Sequence, residues 1–179
     1  LNLKKFFKKD KKIIFVTPQI NNRKKILKKK KEYSYVKKIK AACILCDVKK
    51  LKKIGFFDED YFLYWEDKDL MERVNSSNFK MVQVQNSFVF HDGGKSTIDS
   101  SKVKFIRRIN FKYGELLFDS KHKKTRIIKI VRQILQNLFF IPLNLIVFNK
   151  AKLIENISQI LGILKFIKFI FLKKNSKNI

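Results

Sequence analysis

The sequence predicts an α/β fold in which an α/β part is followed by C-terminal amphipathic helices. Short β-branched or aromatic runs bounded by Pro, Gly or Asn predict strands in the first half of the chain. From Lys102 onward, apolar residues recur every three or four positions, which is typical of amphipathic helices. These patterns divide the chain into an α/β part over residues 1–100 and a helical extension over residues 101–179.

The first half alternates predicted strands with predicted helical segments. The strands are expected at residues 13–16, 39–46, 79–84 and 87–91. The helical segments are expected at residues 48–53 and 66–77, with a Lys-rich loop over residues 21–32. Pro18 is expected to end the first strand, because proline cannot donate to a ladder. Leu70, Met71 and Val74 give the second helical segment its apolar stripe.

Two amphipathic helices are predicted in the second half. The first covers residues 126–140 and is expected to stop at Pro142. The second covers residues 152–172. Neither contains the roughly 20 apolar residues that a membrane-spanning helix needs. Their Lys-rich, two-faced pattern suits attachment to a membrane surface as well as packing on the domain itself, and both alternatives stay open at the level of sequence.

Charge is distributed unevenly along the chain. The formal net charge is +27, and 36 of the 42 basic residues are Lys, which is in part what a codon bias toward Lys, Ile, Asn and Phe would produce. Residues 1–53 carry a net +17 and residues 101–179 a net +15, whereas residues 54–100 carry a net −5. The basic parts would attract anions. The acidic segment between them indicates that carboxylates are needed there.

Cys43 and Cys46 form a single C-x-x-C pair. A structural zinc site would need a second pair of ligands at suitable spacing, and the sequence has none. We therefore interpret both as small apolar residues of a strand, without disulfides and in a reducing compartment.

The acidic segment over residues 55–73 interleaves carboxylates with aromatic residues, including the only Trp. Aromatic rings can stack on sugar faces while carboxylates accept hydroxyl hydrogen bonds. A carboxylate beside apolar rings can also acquire a pKa suited to general base catalysis. Composition alone favours a simpler interpretation, in which acids cap a helix above a packed aromatic cluster.

The order of the residues favours a sugar-binding site over simple capping. It resembles a motif of the family 2 glycosyltransferases, especially the rhamnosyltransferase-like group that builds cell-surface polysaccharides. The family motif has the form G-G-F-D-E-x-F-F-x-Y-x-E-D-x-D-L-x-x-R. The positions that match are Gly55, Phe57, Asp58, Glu59, Phe62, Tyr64, Glu66, Asp67, Asp69, Leu70 and Arg73. A preceding G-A-x-x-L strand is similar to residues 41–45, and a following H-x-x-G-x-S is similar to His91, Gly94 and Ser96. Ala41 and Phe56 depart from the family by replacing glycines.

The resemblance implies a partial GT-A fold and an inverting, single-displacement sugar transfer. In this family the Asp of the Glu-Asp pair is the catalytic base, which here is Asp67. The substrate-binding residues that it implies are Glu66, Trp65, Tyr64, Asp58 and Arg73. In some relatives a His at the position of His91 completes the metal shell; the alternative is a strand-end His bonded to nearby backbone. His122, among lysines, is expected to be solvated.

The same resemblance implies a nucleotide-sugar donor, a saccharide or lipid-linked acceptor, and a divalent cation, Mg or Mn. No Asp-x-Asp metal motif precedes the acidic segment. We therefore expect residues 1–100 to be the acceptor side of the domain, with the donor side and the main metal ligands missing, and the fragment alone to be inactive. The expected location is the cytoplasm, either free or peripheral on the inner face of the plasma membrane.

Two other functions compete with this interpretation. A nucleic-acid-binding protein would suit the pI near 10.2 and the Lys runs at residues 28–31 and 121–124. The scarcity of Arg and the acidic segment disfavour nucleic acid as a partner. A membrane-surface adaptor would explain the C-terminal helices and their attraction to an anionic membrane, but not the acidic motif.

Overall fold

The computed structural model describes residues 3–21, 31–91 and 100–175 of the chain. They divide into two compact units, of which the first comprises residues 1–59 and 66–97 and the second comprises residues 60–65 and 98–179. The prediction of an α/β protein is confirmed, with a small mixed sheet and several helices.

The described part of the first unit contains a four-stranded sheet and three helices. Its elements are α1 (Lys5–Lys9), β1 (Ile13–Asn21), β2 (Tyr33–Val36), β3 (Leu45–Cys46), α2 (Val48–Ile54), α3 (Glu66–Asn75) and β4 (Lys80–Phe90). The strand order is β2-β4-β1-β3. The central strands β1 and β4 run parallel, and each edge strand pairs antiparallel with its neighbour.

Both faces of the sheet are buried. On one face, Ile14 and Phe15 of β1 pack with residues of α2 and α3 that include Leu70 and Val74. On the other face, Ile13 and Val16 pack with Phe6 of α1. A strand covered on both sides is apolar at consecutive positions, which explains the run at residues 13–16.

Several predicted strand boundaries were wrong. β1 continues through Pro18, and β4 is one strand where two were predicted. Both errors arise at one irregularity, because Pro18 pairs with Val84 whereas the next residue, Gln19, pairs with Phe88. The three residues of β4 between Val84 and Phe88 therefore bulge, and this bulge makes room in the ladder for a residue without an N–H.

The edge strands also differ from the prediction. The strand expected over residues 39–46 contains only Leu45–Cys46, and Tyr33–Val36 forms a strand that was not predicted. The short run Tyr33–Val36 contains Ser34 and is only partly buried, with Tyr35 exposed, so it lacks the continuous apolar signal of β1. The predicted helices at residues 48–53 and 66–77 are confirmed as α2 and α3.

The described part of the second unit contains three helices, α4 (Ser101–Lys121), α5 (Ile127–Ile146) and α6 (Lys150–Asn175). Its core combines Tyr61 with α4 and α6 residues such as Leu116, Leu117 and Ile163. At Gly162 of α6, an added Cβ would lie 2.6 Å from Cβ of Lys112 on α4, so the two helices need a glycine where they cross.

The expectation that Pro142 would stop the first amphipathic helix was wrong, since α5 continues through it to Ile146. Proline removes one hydrogen bond from a helix, and the loss can be tolerated where the residue faces solvent, as Pro142 does. Among the helices of the described ranges, none is sufficiently long and apolar to cross a membrane.

Candidate active site

The motif segment crosses between the two units of the chain. Asp58 lies in the first unit, Tyr64 and Trp65 lie in the second, and the chain returns to the first unit at Glu66. The predicted site residues are therefore held by two different sets of contacts.

Within the first unit, Arg73 binds Asp69 and the backbone at the end of α2. Its Nε donates to Oδ2 of Asp69 at 2.8 Å. Its Nη1 donates to the carbonyls of Ile54 and Gly55 at 2.7 and 2.9 Å, and its Nη2 donates to that of Phe56 at 2.8 Å. Arg73 thus satisfies three carbonyls at the C-terminus of α2, just before the chain reaches Asp58. These contacts commit its guanidinium to the protein; substrate binding by Arg73 stays a prediction.

Gly55 is required at this junction for two reasons. Its φ of +82° lies in a region that side chains disfavour. An added Cβ would also lie 3.3 Å from Nη1 of Arg73. The first Gly of the sequence motif therefore has a local structural cause, because it ends α2 and admits the guanidinium.

Glu66 and Asp67 lie in the first turn of α3, together with Asp69. Carboxylates at this position interact favourably with the positive end of the helix dipole. Asp67 is half-buried, and its Oδ1 accepts a hydrogen bond from the Lys68 amide at 2.7 Å. Within the described ranges it forms no ion pair.

Glu66 differs from Asp67 in the burial of its carboxylate. Its Oε2 is shielded from solvent and has no hydrogen-bond partner among the described residues. A buried acceptor without a donor raises the free energy of the folded protein. Within the described residues, this oxygen therefore keeps an acceptor position that no donor fills.

Within the second unit, Tyr64 and Trp65 have φ values of 68° and 75°. Positive φ is uncommon for residues other than glycine and costs free energy, so packing must hold it in place. The Trp65 ring lies 5.5 Å from the ring of Phe111 and 5.3 Å from that of Phe118, centroid to centroid. The Tyr64 ring lies 5.7 Å from that of Phe111. Both aromatic residues are thus fixed on α4.

Tyr64 and Trp65 can approach α4 this closely because residue 114 is a glycine. The sequence had not led us to expect a role for Gly114. An added Cβ would lie 2.8 Å from Cδ1 of Trp65 and 3.0 Å from the carbonyl oxygen of Tyr64. A glycine in the middle of a helical pattern carries a cost in helix propensity and is a signal of close approach. That signal was present in the sequence.

Asp60 anchors the start of the 60–65 segment in the second unit. Its Oδ2 accepts hydrogen bonds from Lys121 at 2.6 Å and Lys173 at 2.8 Å, while the Tyr113 hydroxyl donates to its carbonyl at 3.1 Å. Partial burial acts to raise the pKa of Asp60, but the hydrogen bonds and charges of the two lysines outweigh it and lower that pKa.

Of the other predicted ligands, Asp58 is half-buried, and His91 is exposed at the end of β4. Gly94 and Ser96 of the H-x-x-G-x-S pattern lie outside the described residues. No cluster of three metal-binding side chains occurs within residues 3–21, 31–91 and 100–175.

The remaining expectations from the sequence concern His122 and the two cysteines. His122 was expected to be solvated, but it is half-buried, with its ring centroid 4.5 Å from that of Phe118. Its position after α4 brings it over that ring, which the surrounding lysines did not reveal. Cys43 and Cys46 are half-buried free thiols, and of the two only Cys46 lies in a strand, whereas both were expected in one.

No protein-family model, curated protein or solved structure matches this chain.

Proposed function

We propose that this chain is the acceptor side of an inverting family 2 glycosyltransferase with a GT-A fold. The observation that carries the proposal is the different condition of three carboxylates in one helical turn. Asp69 is committed to Arg73, whereas Asp67 has no ion pair within the described ranges and Glu66 has a buried oxygen that lacks a donor there. The fixed order of the motif over residues 55–73 gives the same assignment.

Asp67 is the proposed catalytic base. It would accept the proton of an acceptor hydroxyl while that oxygen forms a bond to the anomeric carbon of a nucleotide sugar. The bond from that carbon to the diphosphate oxygen breaks, and the diphosphate leaves. A positioned base of this kind typically contributes about 10²–10⁴-fold to the rate. Glu66 would accept a hydrogen bond from another hydroxyl of the acceptor.

Tyr64 and Trp65 are the proposed sugar-binding rings. Their positive φ angles are maintained by packing on α4, and backbone strain of this kind clusters at functional sites. Asp58 is a further proposed substrate ligand. Arg73 is proposed to act mainly by positioning the backbone that precedes Asp58.

The divalent cation, Mg or Mn, is proposed to bind mainly through residues outside this sequence. His91 alone supplies one imidazole, and the described residues contain no ligand cluster around it. These residues do not make a cation site by themselves, so no step of the reaction is assigned to a cation through them. The nucleotide-sugar donor is likewise proposed to depend on a separate donor side.

The proposed acceptor is a saccharide or a lipid-linked saccharide in the synthesis of cell-surface polysaccharide. The proposed site of action is the cytoplasm, at or near the inner face of the plasma membrane.

The test exploits Trp65, the only Trp of the chain. Its emission is followed while the full chain is titrated with rhamnose, glucose, galactose, N-acetylglucosamine and their methyl glycosides, with an acyclic sugar alcohol as the control. A saturable change with at least one ring sugar is expected. Asp67→Asn should retain this binding, because the amide keeps the shape of the carboxylate.

Transfer is measured in the longest gene product that contains these residues. There, Asp67→Asn should lower kcat by about 10²–10⁴-fold. Glu72→Gln, which makes the same change on α3 at a position that the motif leaves variable, is the matched control. If Asp67→Asn transferred sugar at the rate of Glu72→Gln, Asp67 would not be the base and the proposed mechanism would be wrong.

A further inference from the structure

Helix α5 presents its apolar side to solvent. At 100° per residue, one stripe about 120° wide contains only apolar side chains and Pro142. The apolar members of this outer stripe are between 49% and 84% exposed: Ile127, Ile128, Val131, Leu135, Leu138, Phe139, Leu145 and Ile146. An ordinary surface helix does the reverse and turns its apolar stripe toward the core.

Part of the polar side of α5 faces inward and is bonded to α6. Nδ2 of Asn144 donates to Oδ1 of Asn156 at 3.0 Å, and Nδ2 of Asn156 donates to Oδ1 of Asn137 at 2.8 Å. Asn144 is only 8% exposed. Three asparagines thus join the two helices through side-chain hydrogen bonds, a mode of association that is common between helices surrounded by lipid.

Charged groups at the start of α5 are also paired inward. Nζ of Lys129 lies 3.2 Å from Oε1 of Glu115 and 3.3 Å from Oδ2 of Asp119, both on α4. A rotation that buried the outer stripe would break these ion pairs together with the asparagine bonds. The exposed apolar stripe is therefore fixed by the inward contacts of α5.

Apolar surface continues beyond the outer stripe. Val147 and Phe148, which follow α5, are 66% and 86% exposed. Near the start of α5, a groove of about 500 Å³ is lined mainly by apolar residues of α5 and α6, such as Ile130 and Phe166, and also by Ser120, Lys123 and Thr125. Apolar surface of this extent marks an interaction site in soluble proteins.

We propose that the outer stripe of α5 lies in the surface of a lipid bilayer that contains anionic headgroups. The basic residues Lys123, Lys124 and Arg126 precede the stripe, and Lys150 and Lys152 follow it, all exposed. Residues 101–179 carry a net charge of +15. Apolar side chains flanked by Lys and Arg complement acyl chains flanked by anionic headgroups.

The positive charges around the outer stripe disfavour a second copy of the chain as its partner, and the apolar stripe itself disfavours nucleic acid. A second copy of the chain would bring equal positive charge to the opposite side of the contact, which is unfavourable. Nucleic acid would neutralise the lysines but would leave the outer stripe in water. In this proposal α5 lies in the plane of the surface, with its outer stripe toward the acyl chains. This inference does not depend on the proposed transferase activity.

The test is flotation of the full chain with vesicles of phosphatidylcholine alone or with about a third phosphatidylglycerol. Binding to the anionic vesicles is expected, with much weaker binding to the neutral ones. The double variant Ile128→Ser/Leu135→Ser should bind anionic vesicles about 10²-fold more weakly. Val48→Ser/Phe90→Ser, which alters two comparably exposed apolar residues of the first unit, should bind like the unaltered chain.

Two further measurements separate the alternatives. Lipids with brominated acyl chains should quench the fluorescence of Phe139→Trp more strongly than that of the unaltered chain, whose one Trp is Trp65. Circular dichroism verifies that each variant is folded. Equal vesicle binding by Ile128→Ser/Leu135→Ser and the unaltered chain overturns the proposal. So does a dimer in lipid-free solution that this double variant abolishes, because a second copy would then cover the stripe.

Discussion

Asp69 is held by Arg73 through a hydrogen bond of 2.8 Å between residues four apart on α3, and its side chain is 2% exposed. Two residues earlier, Asp67 is half-buried and forms no ion pair within the described ranges. The two carboxylates share a helical turn but differ in environment, because positions i and i+2 point to different sides of a helix. One has a structural role, whereas the other is proposed to be catalytic.

This difference predicts that the same change, Asp to Asn, destabilises the protein far more at Asp69 than at Asp67. Asp69→Asn should lower the free energy of unfolding by about 2 kcal/mol, because Arg73 loses a charged partner and three backbone carbonyls lose a firmly held donor. Asp67→Asn should change it by about 0.5 kcal/mol or less. Urea unfolding followed by circular dichroism measures both. Equal stability of the two variants would contradict the proposed structural role of Asp69.

Gly114 provides a second prediction. Gly114→Ala should destabilise the second unit by about 1–3 kcal/mol, because the added Cβ would lie 2.8 Å from Cδ1 of Trp65. The emission spectrum of Trp65 should shift as well, since its ring must move off α4. Lys102→Ala, an exposed change on α4, is the control. Unchanged emission and stability in Gly114→Ala would contradict the seating of Trp65 on α4.

The sequence was sufficient for features that depend on periodicity. The stripe of Leu70, Met71 and Val74 correctly predicted α3 and its buried side. The spacing of Asp69 and Arg73 also permits an ion pair on one side of a helix. What the motif resemblance could not provide was the structural role of Asp69, which holds the Arg73 guanidinium while that group donates to three backbone carbonyls at the end of α2.

Features that depend on long-range partners were predicted poorly. The bulge that accommodates Pro18 in β1 lies in β4, far along the chain. Likewise, periodicity identified the two sides of α5 but not the side that faces inward. That choice is made by Asn156 on α6, which bonds Asn137 and Asn144. A local window contains none of this information.

Acidification should weaken the second unit through Glu115. Burial acts to raise its pKa, but hydrogen bonding and attraction to Lys112 and Lys129 outweigh burial and lower the pKa below its ordinary value. A lowered pKa in the folded state means that the unfolded chain binds the proton more readily. This stabilisation is therefore present above the ordinary Glu pKa of about 4.3 and is lost as the pH falls through the folded-state value.

The corresponding measurement is the free energy of unfolding from about pH 6 to about pH 3. The unaltered chain should lose stability across the lower part of this range. Glu115→Gln should be less stable at pH 6 and should show a shallower decline. Glu155→Gln, an exposed change on α6, should follow the unaltered chain. If the free energy of unfolding fell more steeply with decreasing pH in Glu115→Gln than in the unaltered chain, the result would contradict a lowered pKa of Glu115 in the folded state.

The asparagine contacts between α5 and α6 give the last prediction. Asn156→Ala removes the acceptor of Asn144 and the donor to Asn137, so the stability of the second unit should fall by about 1–3 kcal/mol. Gln136→Ala, an exposed polar change on α5, should cost about 0.5 kcal/mol or less. The decisive measurement is hydrogen exchange of the α5 amides, which should be faster in Asn156→Ala because α5 loses its side-chain hydrogen bonds to α6. If α5 exchanged equally in both variants, apolar contacts alone would hold it to α6, and the outward orientation of its apolar stripe would lose its proposed cause.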